Sequence, residues 1–165
     1  MKGFIRAVES FQEVIGKIVG LINYVLVFVV LYEVISRKVF KNPTVWGFDL
    51  SYMLYGTMFM LGLGYALKHG SHVRIDIIYA YLKPKKKAIL DLIGYTVFFL
   101  PFMIICLKVS YDFGMQSFEM REQSMSVWQV PIYPFKIMMF VSFVLVFVQG
   151  IVEIIKSILS LTEGN

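Results

Sequence analysis

The sequence predicts an all-α integral membrane protein with four transmembrane helices, and three observations carry that class. Four long apolar stretches run through the 165 residues, at roughly 16–35, 48–67, 88–107 and 131–151. A bilayer core of about 30 Å takes about 20 helical residues to cross, and each stretch is long enough and nearly uncharged at its centre. The chain is 58% hydrophobic and 16% charged, well below the charged share of about 25% usual in soluble domains. Its mean hydropathy is +0.72. The segments left outside the spans are too short to build a soluble core, so residues 1–165 form a single membrane domain. In lipid a backbone must satisfy its own hydrogen bonds, which makes each stretch a helix and sets soluble enzyme folds aside.

Taken in order, residues 2–18 place Phe4, Val8, Phe11, Ile15 and Ile18 on one helical face, with Lys2, Arg6, Glu9, Glu13 and Lys17 mostly opposite. That pattern predicts an amphipathic helix in the membrane surface over about 2–16, ahead of the first span. The alternative is a direct extension of span 1. The apolar run that follows is longer than the about 7–15 residues of a signal-peptide core, and no small-x-small cleavage site follows it, so span 1 reads as retained. Glu33 and Arg37 form an i, i+4 pair at its far end. Asn42-Pro43 breaks the helix. Trp46 and Phe48 stand where an interfacial aromatic belt belongs, and Asp49 suits the positive end of helix 2.

Within span 2, Gly62, Ala66 and Gly70 recur every fourth position, a stripe that lets another helix approach closely. Residues 70–87 form the most basic connection and are expected to hold a second short interfacial helix before Pro84 and the lysines turn the chain into span 3. Pro101 sits inside span 3 and should kink it. Residues 108–130 mix Asp112, Glu119, Arg121 and Glu122 with Met, Phe and Ser, and Trp128 marks the interface again. Pro131 and Pro134 open span 4.

Four spans place both termini on one side. Lys2, Arg6, Lys17, Lys68, Arg74, Lys83, Lys85, Lys86, Lys87 and Lys156 fall there, against Arg37, Lys38, Lys41, Lys108, Arg121 and Lys136 on the other. The excess predicts cytoplasmic termini. The net charge of +5 is read as membrane topology and attraction to anionic lipid, not as a nucleic-acid footprint. The single cysteine, Cys106, lies inside span 3 and is read as a small packing residue.

No catalytic constellation emerges. The two histidines, His69 and His72, lie at one membrane edge and cannot ligate haem from facing spans. Cys-x-x-Cys, phosphate-loop and nucleophile-elbow motifs are absent. A metal role for His69, His72 and Asp76 is the weaker reading beside solvated or partner-facing polar groups. Transport needs ionisable or unwound elements near the bilayer midplane, and the centres of all four spans lack charge. The chain is therefore expected to be neither an enzyme nor a carrier with its own substrate path, with no cofactor, metal or substrate site of its own. Two other readings stay open: a stand-alone small exporter, for which Glu33 is the one candidate acid, and the membrane anchor of a redox enzyme.

The chain resembles the small, DctQ-type membrane subunit of tripartite ATP-independent periplasmic (TRAP) transporters over about residues 15–155. The resemblance rests first on Arg37-Lys38-Val39-Phe40-Lys41-Asn42-Pro43 with Trp46, second on Gly70-x-His72-Val73-Arg74-Ile75-Asp76, and third on Glu119 to Ser124 with Trp128 and Pro131-Ile-Tyr-Pro. After the tryptophan the family often carries Ser and Glu, whereas Gly47-Phe48-Asp49 follow here. The resemblance implies a bacterial inner-membrane complex for organic acids, carboxylates or sulfonates. A large permease subunit would carry substrate and coupling sodium ions and move like an elevator, and a periplasmic binding protein would deliver the acid. This chain would widen the stationary scaffold. Gly62, Ala66, Gly70, His72, Arg74 and Asp76 are then the expected interface with the large subunit, and Arg37, Lys41, Trp46, Glu119, Arg121 and Glu122 the expected docking surface for the binding protein.

Overall fold

The computed structural model describes residues 2–70 and 84–163. Helix α1 spans Lys2–Lys38, α2 Gly47–Lys68, α3 Pro84–Ile93, α4 Leu100–Glu119 and α5 Tyr133–Glu163, with a π-helical stretch over Gly94–Phe99 joining α3 to α4. Four rods are long and apolar enough to cross a bilayer: 3–38, 47–68, 86–119 and 133–162. The four expected spans are thus all present, but three of their helices run well past the apolar cores. At about 1.5 Å per residue, the 37 residues of α1 reach about 55 Å.

The expected surface helix at 2–16 is not set apart from span 1. The chain runs unbroken from Lys2 to Lys38, and its polar face is engaged by the rest of the bundle. Gln12 is buried, and Glu9 and Glu13 pair with Lys156 and Lys68. The amphipathic period of this segment therefore records contact with α2 and α5. The second expected interfacial helix, at 70–87, lies largely outside the described residues.

Pro101 is accommodated in its span by a π-helical turn just ahead of it. Proline lacks an N–H and its ring crowds the carbonyl four residues back. The turn just before it widens, and the Leu100 N–H donates to the carbonyl of Tyr95, five residues back. The wide turn sets Phe99 over Gly150 of α5, where any Cβ would collide with the ring. The fourth span, α5, starts at Tyr133 and not at Pro131, whose segment is occupied by an isolated antiparallel bridge between Gln123 and Pro131.

The helices stand in a row, α1 beside α2, α2 beside α5, and α5 beside α3 and α4, with a smaller contact of α1 on α5. The core lies where α2, α5, the π-helical stretch and the start of α4 meet: Leu67, Met103 and Val146 are buried, with Leu63, Tyr95, Phe99, Phe143 and Phe147 packed around them. The outer faces of α1 and α4 are apolar and uncovered, Phe28 being 72% and Phe102 63% exposed. In water such faces would aggregate; in lipid they are the expected surface.

Close approach of α1 to α2 depends on glycine. A Cβ at Gly64 would lie 2.6 Å from both terminal atoms of the buried Gln12 amide. The Gln12 amide N–H donates to the carbonyl of Leu145 on α5 at 3.1 Å, so Gly64 admits the side chain that ties α1 to α5. At Gly62 a Cβ would meet only Val19, at 3.8 Å. Gly70 adopts φ +67° as helix α2 ends, the left-handed region that glycine enters freely.

Candidate functional site: the loop-bearing end

The connections after α1 and α4 lie at the same end of the row and are held by side chains from the helix ends. Glu33, in the last turns of α1, receives Arg37 at 2.7 Å, the Thr44 N–H at 3.3 Å and the Thr44 hydroxyl. The Thr44 hydroxyl oxygen in turn accepts the Gly47 N–H at 3.1 Å, which starts α2. Ser36 donates to the carbonyl of Asn42 at 2.6 Å. Tyr32 stacks on Trp46 at 5.7 Å with the rings 17° apart. Glu33 therefore organises the first connection, with its charge matched by Arg37, an arrangement unlike the free mid-span acid a small exporter would need.

Asp49 ties the second connection to the first. It lies in the first turn of α2, where the helix dipole favours a carboxylate, and it is 7% exposed, the one charged side chain buried among the described residues. The hydroxyls of Ser124, at 3.4 Å, and Ser126 both donate to it. Sequence reasoning placed Asp49 at the helix start but missed these partners, 75 and 77 residues away.

The 120–132 connection is closed by the Ser124 N–H to the Val130 carbonyl at 2.8 Å and the Ile132 N–H to the Glu122 carbonyl at 3.0 Å. Arg121 sits at φ 47°, with its N–H on Phe118 O and the Glu122 N–H on Ser117 O. This is a Schellman ending of α4 in which arginine takes the position usually given to glycine. Lys41 at φ 52° and Gln129 at φ 50° share that left-handed conformation. A left-handed non-glycine residue costs about 1–2 kcal/mol, and all three fall in these two connections. The cost is borne where surrounding bonds over-determine the backbone.

Glu122 bonds the ammonium of Lys136 at 2.5 Å, and Lys136 also lies 3.8 Å from the centre of the Phe113 ring. The lysine holds the Glu122 carboxyl below the usual carboxylate range, while burial pulls the other way.

Of the residues expected to dock a binding protein, Arg37, Lys41, Trp46, Glu119, Arg121 and Glu122 all lie at this end. Arg37, Lys41, Glu119 and Arg121 are exposed; Trp46 and Glu122 are half-buried. Beside them Met125 and Val127 are fully open at the tip of the second connection. Of the residues expected to meet a large subunit, Gly62 faces Val19 of α1 within this chain, Ala66 is half-buried and Gly70 exposed. His72, Arg74 and Asp76 lie outside the described residues.

The opposite end is zipped by charge. Lys68 bonds Glu13 at 2.5 Å, His69 approaches it at 3.5 Å, and Lys156 bridges Glu9 and Glu153. Gln149, fully buried, donates to Glu153 at 2.9 Å. No cluster of three or more metal-ligating side chains occurs among the described residues.

A row of four membrane-crossing helices, tied by ion pairs at both ends and packed with apolar side chains between, defines a small polytopic membrane protein. Its sequence matches the family described as "Tripartite ATP-independent periplasmic transporters, DctQ component" over residues 26–160, and the chain belongs to that family. It is the small subunit of a TRAP transporter, a transporter component and not an enzyme. Members of the family work together with a large permease and a substrate-binding protein. The chain is also similar to the sialic acid TRAP transporter permease protein SiaT of Haemophilus influenzae strain 86-028NP, 28% identical over 91 residues, which is 54% of this chain and 14% of that protein. The matched stretch thus spans about a seventh of the relative's length. No solved structure matches the chain.

Proposed function

We propose that this chain widens the stationary scaffold of a sodium-driven permease for organic acids in a bacterial inner membrane, with both termini in the cytoplasm. The observation that carries the reading is the distribution of polarity. Asp49 is the one buried charge among the described residues, it sits at a helix start, and two hydroxyls bond it. A substrate or ion path needs ionisable groups or unwound backbone near mid-depth. Apart from the π-helical turn ahead of Pro101, these spans are filled with packed apolar side chains, serines bonded to their own helices, and two buried but uncharged amides, Gln12 and Gln149, bonded to Leu145 and Glu153.

In this reading the large permease carries the acid and the coupling sodium ions, and this chain holds no cofactor of its own. The substrate class rests on the family and on the sialic acid relative. The exposed residues of the loop-bearing end, Arg37, Lys41, Glu119 and Arg121 among them, form part of the surface on which a periplasmic binding protein docks. Their backbone is preset by the Asp49, Glu33 and Glu122 bonds, so little ordering remains to be paid on contact. Gly62, Ala66 and Gly70, with His72, Arg74 and Asp76, remain the proposed region for contact with the large subunit toward the cytoplasmic end.

The test is reconstitution in liposomes under an inward sodium gradient. Permease plus binding protein plus this chain should accumulate acid, and omission of this chain should abolish accumulation. Uptake by this chain alone, or undiminished uptake without it, would overturn the proposal.

A further inference from the structure

We infer that the groove between the end of α1 and the start of α2 is a binding site for an anionic diacyl phospholipid. The groove has a volume of about 230 Å³ and lies between Val30 and Val34 on one side and Phe48 on the other, with Gly47 at its floor and Arg37 and Lys38 at its rim. Its walls are uncovered within this chain: Val34 is 51% and Phe48 75% exposed. From Lys38 to Val30 the helix descends about 12 Å at about 1.5 Å per residue. The groove therefore runs from headgroup level into the hydrocarbon. The Tyr32–Trp46 stack lies at the same level, as interfacial aromatics do.

Charge selects the occupant. Glu33 is matched by Arg37, whereas Lys38 and Lys41 make no ion pair among the described residues. The rim therefore carries one unmatched positive charge, Lys38, over an apolar slot, with Lys41 three residues further along the chain. A lipid phosphate supplies the missing anion at that height, and its acyl chain supplies apolar contact below it. An apolar helix of another protein seated in the slot would cover the walls but leave the lysines unmatched. The site goes beyond the scaffold reading and does not depend on it.

The test uses the full chain in nanodiscs of equimolar phosphatidylglycerol and phosphatidylcholine. A photoreactive p-benzoylphenylalanine is placed at Val34, or at the lipid-exposed Val25 as a control, and the lipid adducts are weighed by mass spectrometry. The glycerol-to-choline adduct ratio at Val34 should exceed that at Val25 by about fivefold or more, the value expected from one basic side chain near a membrane surface. Lys38→Gln with Lys41→Gln should return it to the Val25 value. Equal ratios at the two positions, or a ratio untouched by the lysine changes, would overturn the proposal. So would adducts at Val34 going to permease peptides when the same chain is crosslinked in membranes holding the whole transporter.

Discussion

Removing the Asp49 carboxylate should release the 120–132 connection while leaving the helices in place. The group is 7% exposed and accepts two serine hydroxyls from the connection. Hydrogen bonds to a charged group are worth about 1.5–3 kcal/mol each. Two that share one carboxylate do not add in full. In Asp49→Ala the freed hydroxyls can turn to water, so the local loss is about 2 kcal/mol. That corresponds to about a thirtyfold rise in the population of the opened loop. The assay is amide hydrogen exchange in nanodiscs, read at Ser124 and Ile132, whose N–H groups close the connection. Both should exchange about thirtyfold faster in Asp49→Ala, with the amides of α5 unchanged. Wild-type exchange at these two positions would refute the reasoning, because the loop would then be held without the carboxylate. The reverse change, Ser124→Ala with Ser126→Ala, should cost more, since it strands a buried charge.

Gly64→Ala should destabilise the bundle by about 1–3 kcal/mol through overpacking on Gln12, outweighing a gain of about 1 kcal/mol in helix propensity. In a Gln12→Ala background the same change should be neutral or stabilising; equal effects in both backgrounds, measured by denaturation in mixed micelles, would remove the contact from the account. Glu122, held below its ordinary range by Lys136, contributes stability that is complete above the ordinary carboxylate range and lost as pH falls through its lowered folded value. Exchange at the Ile132 amide, corrected for intrinsic rate, should therefore rise on acidification below about pH 4.5 in the native chain and stay flat in Glu122→Gln. Glu33→Gln should leave most uptake by the assembled transporter intact, since glutamine still accepts from Thr44; abolished uptake would favour an exporter-type role for the acid. Charge reversal at Arg121 should weaken capture of the binding protein by the reconstituted complex, and unchanged affinity would remove that residue from the docking surface.

The four spans were legible because hydropathy over 20 residues is a strong, local signal. The two halves of the loop-bearing end were legible in outline, since Trp46, Trp128 and the Asn42-Pro43 break all mark interfaces. The bond that joins them was not. Nothing local distinguishes Ser126 as the partner of Asp49, because the pairing exists only once α2 and α5 are parallel neighbours that both start at this end. The amphipathic period of residues 2–18 was read correctly as a helix but assigned to the membrane surface, because Glu9 and Glu13 gave no sign of meeting Lys156 and Lys68. The small-residue stripe was set on Gly62, Ala66 and Gly70, while the tight contact falls on Gly64. Gln12 was the available clue: an amide among apolar neighbours on α1 needs a buried partner and room to reach it.

The arrangement of helices in single file has a consequence for handling the protein. α2 and α5 have a neighbour on either flank, whereas α1 and α4 have one chiefly on a single flank. The outermost rods thus depend for half of their surroundings on whatever the membrane provides, and extraction into detergent should be felt at these edges before it reaches the middle pair.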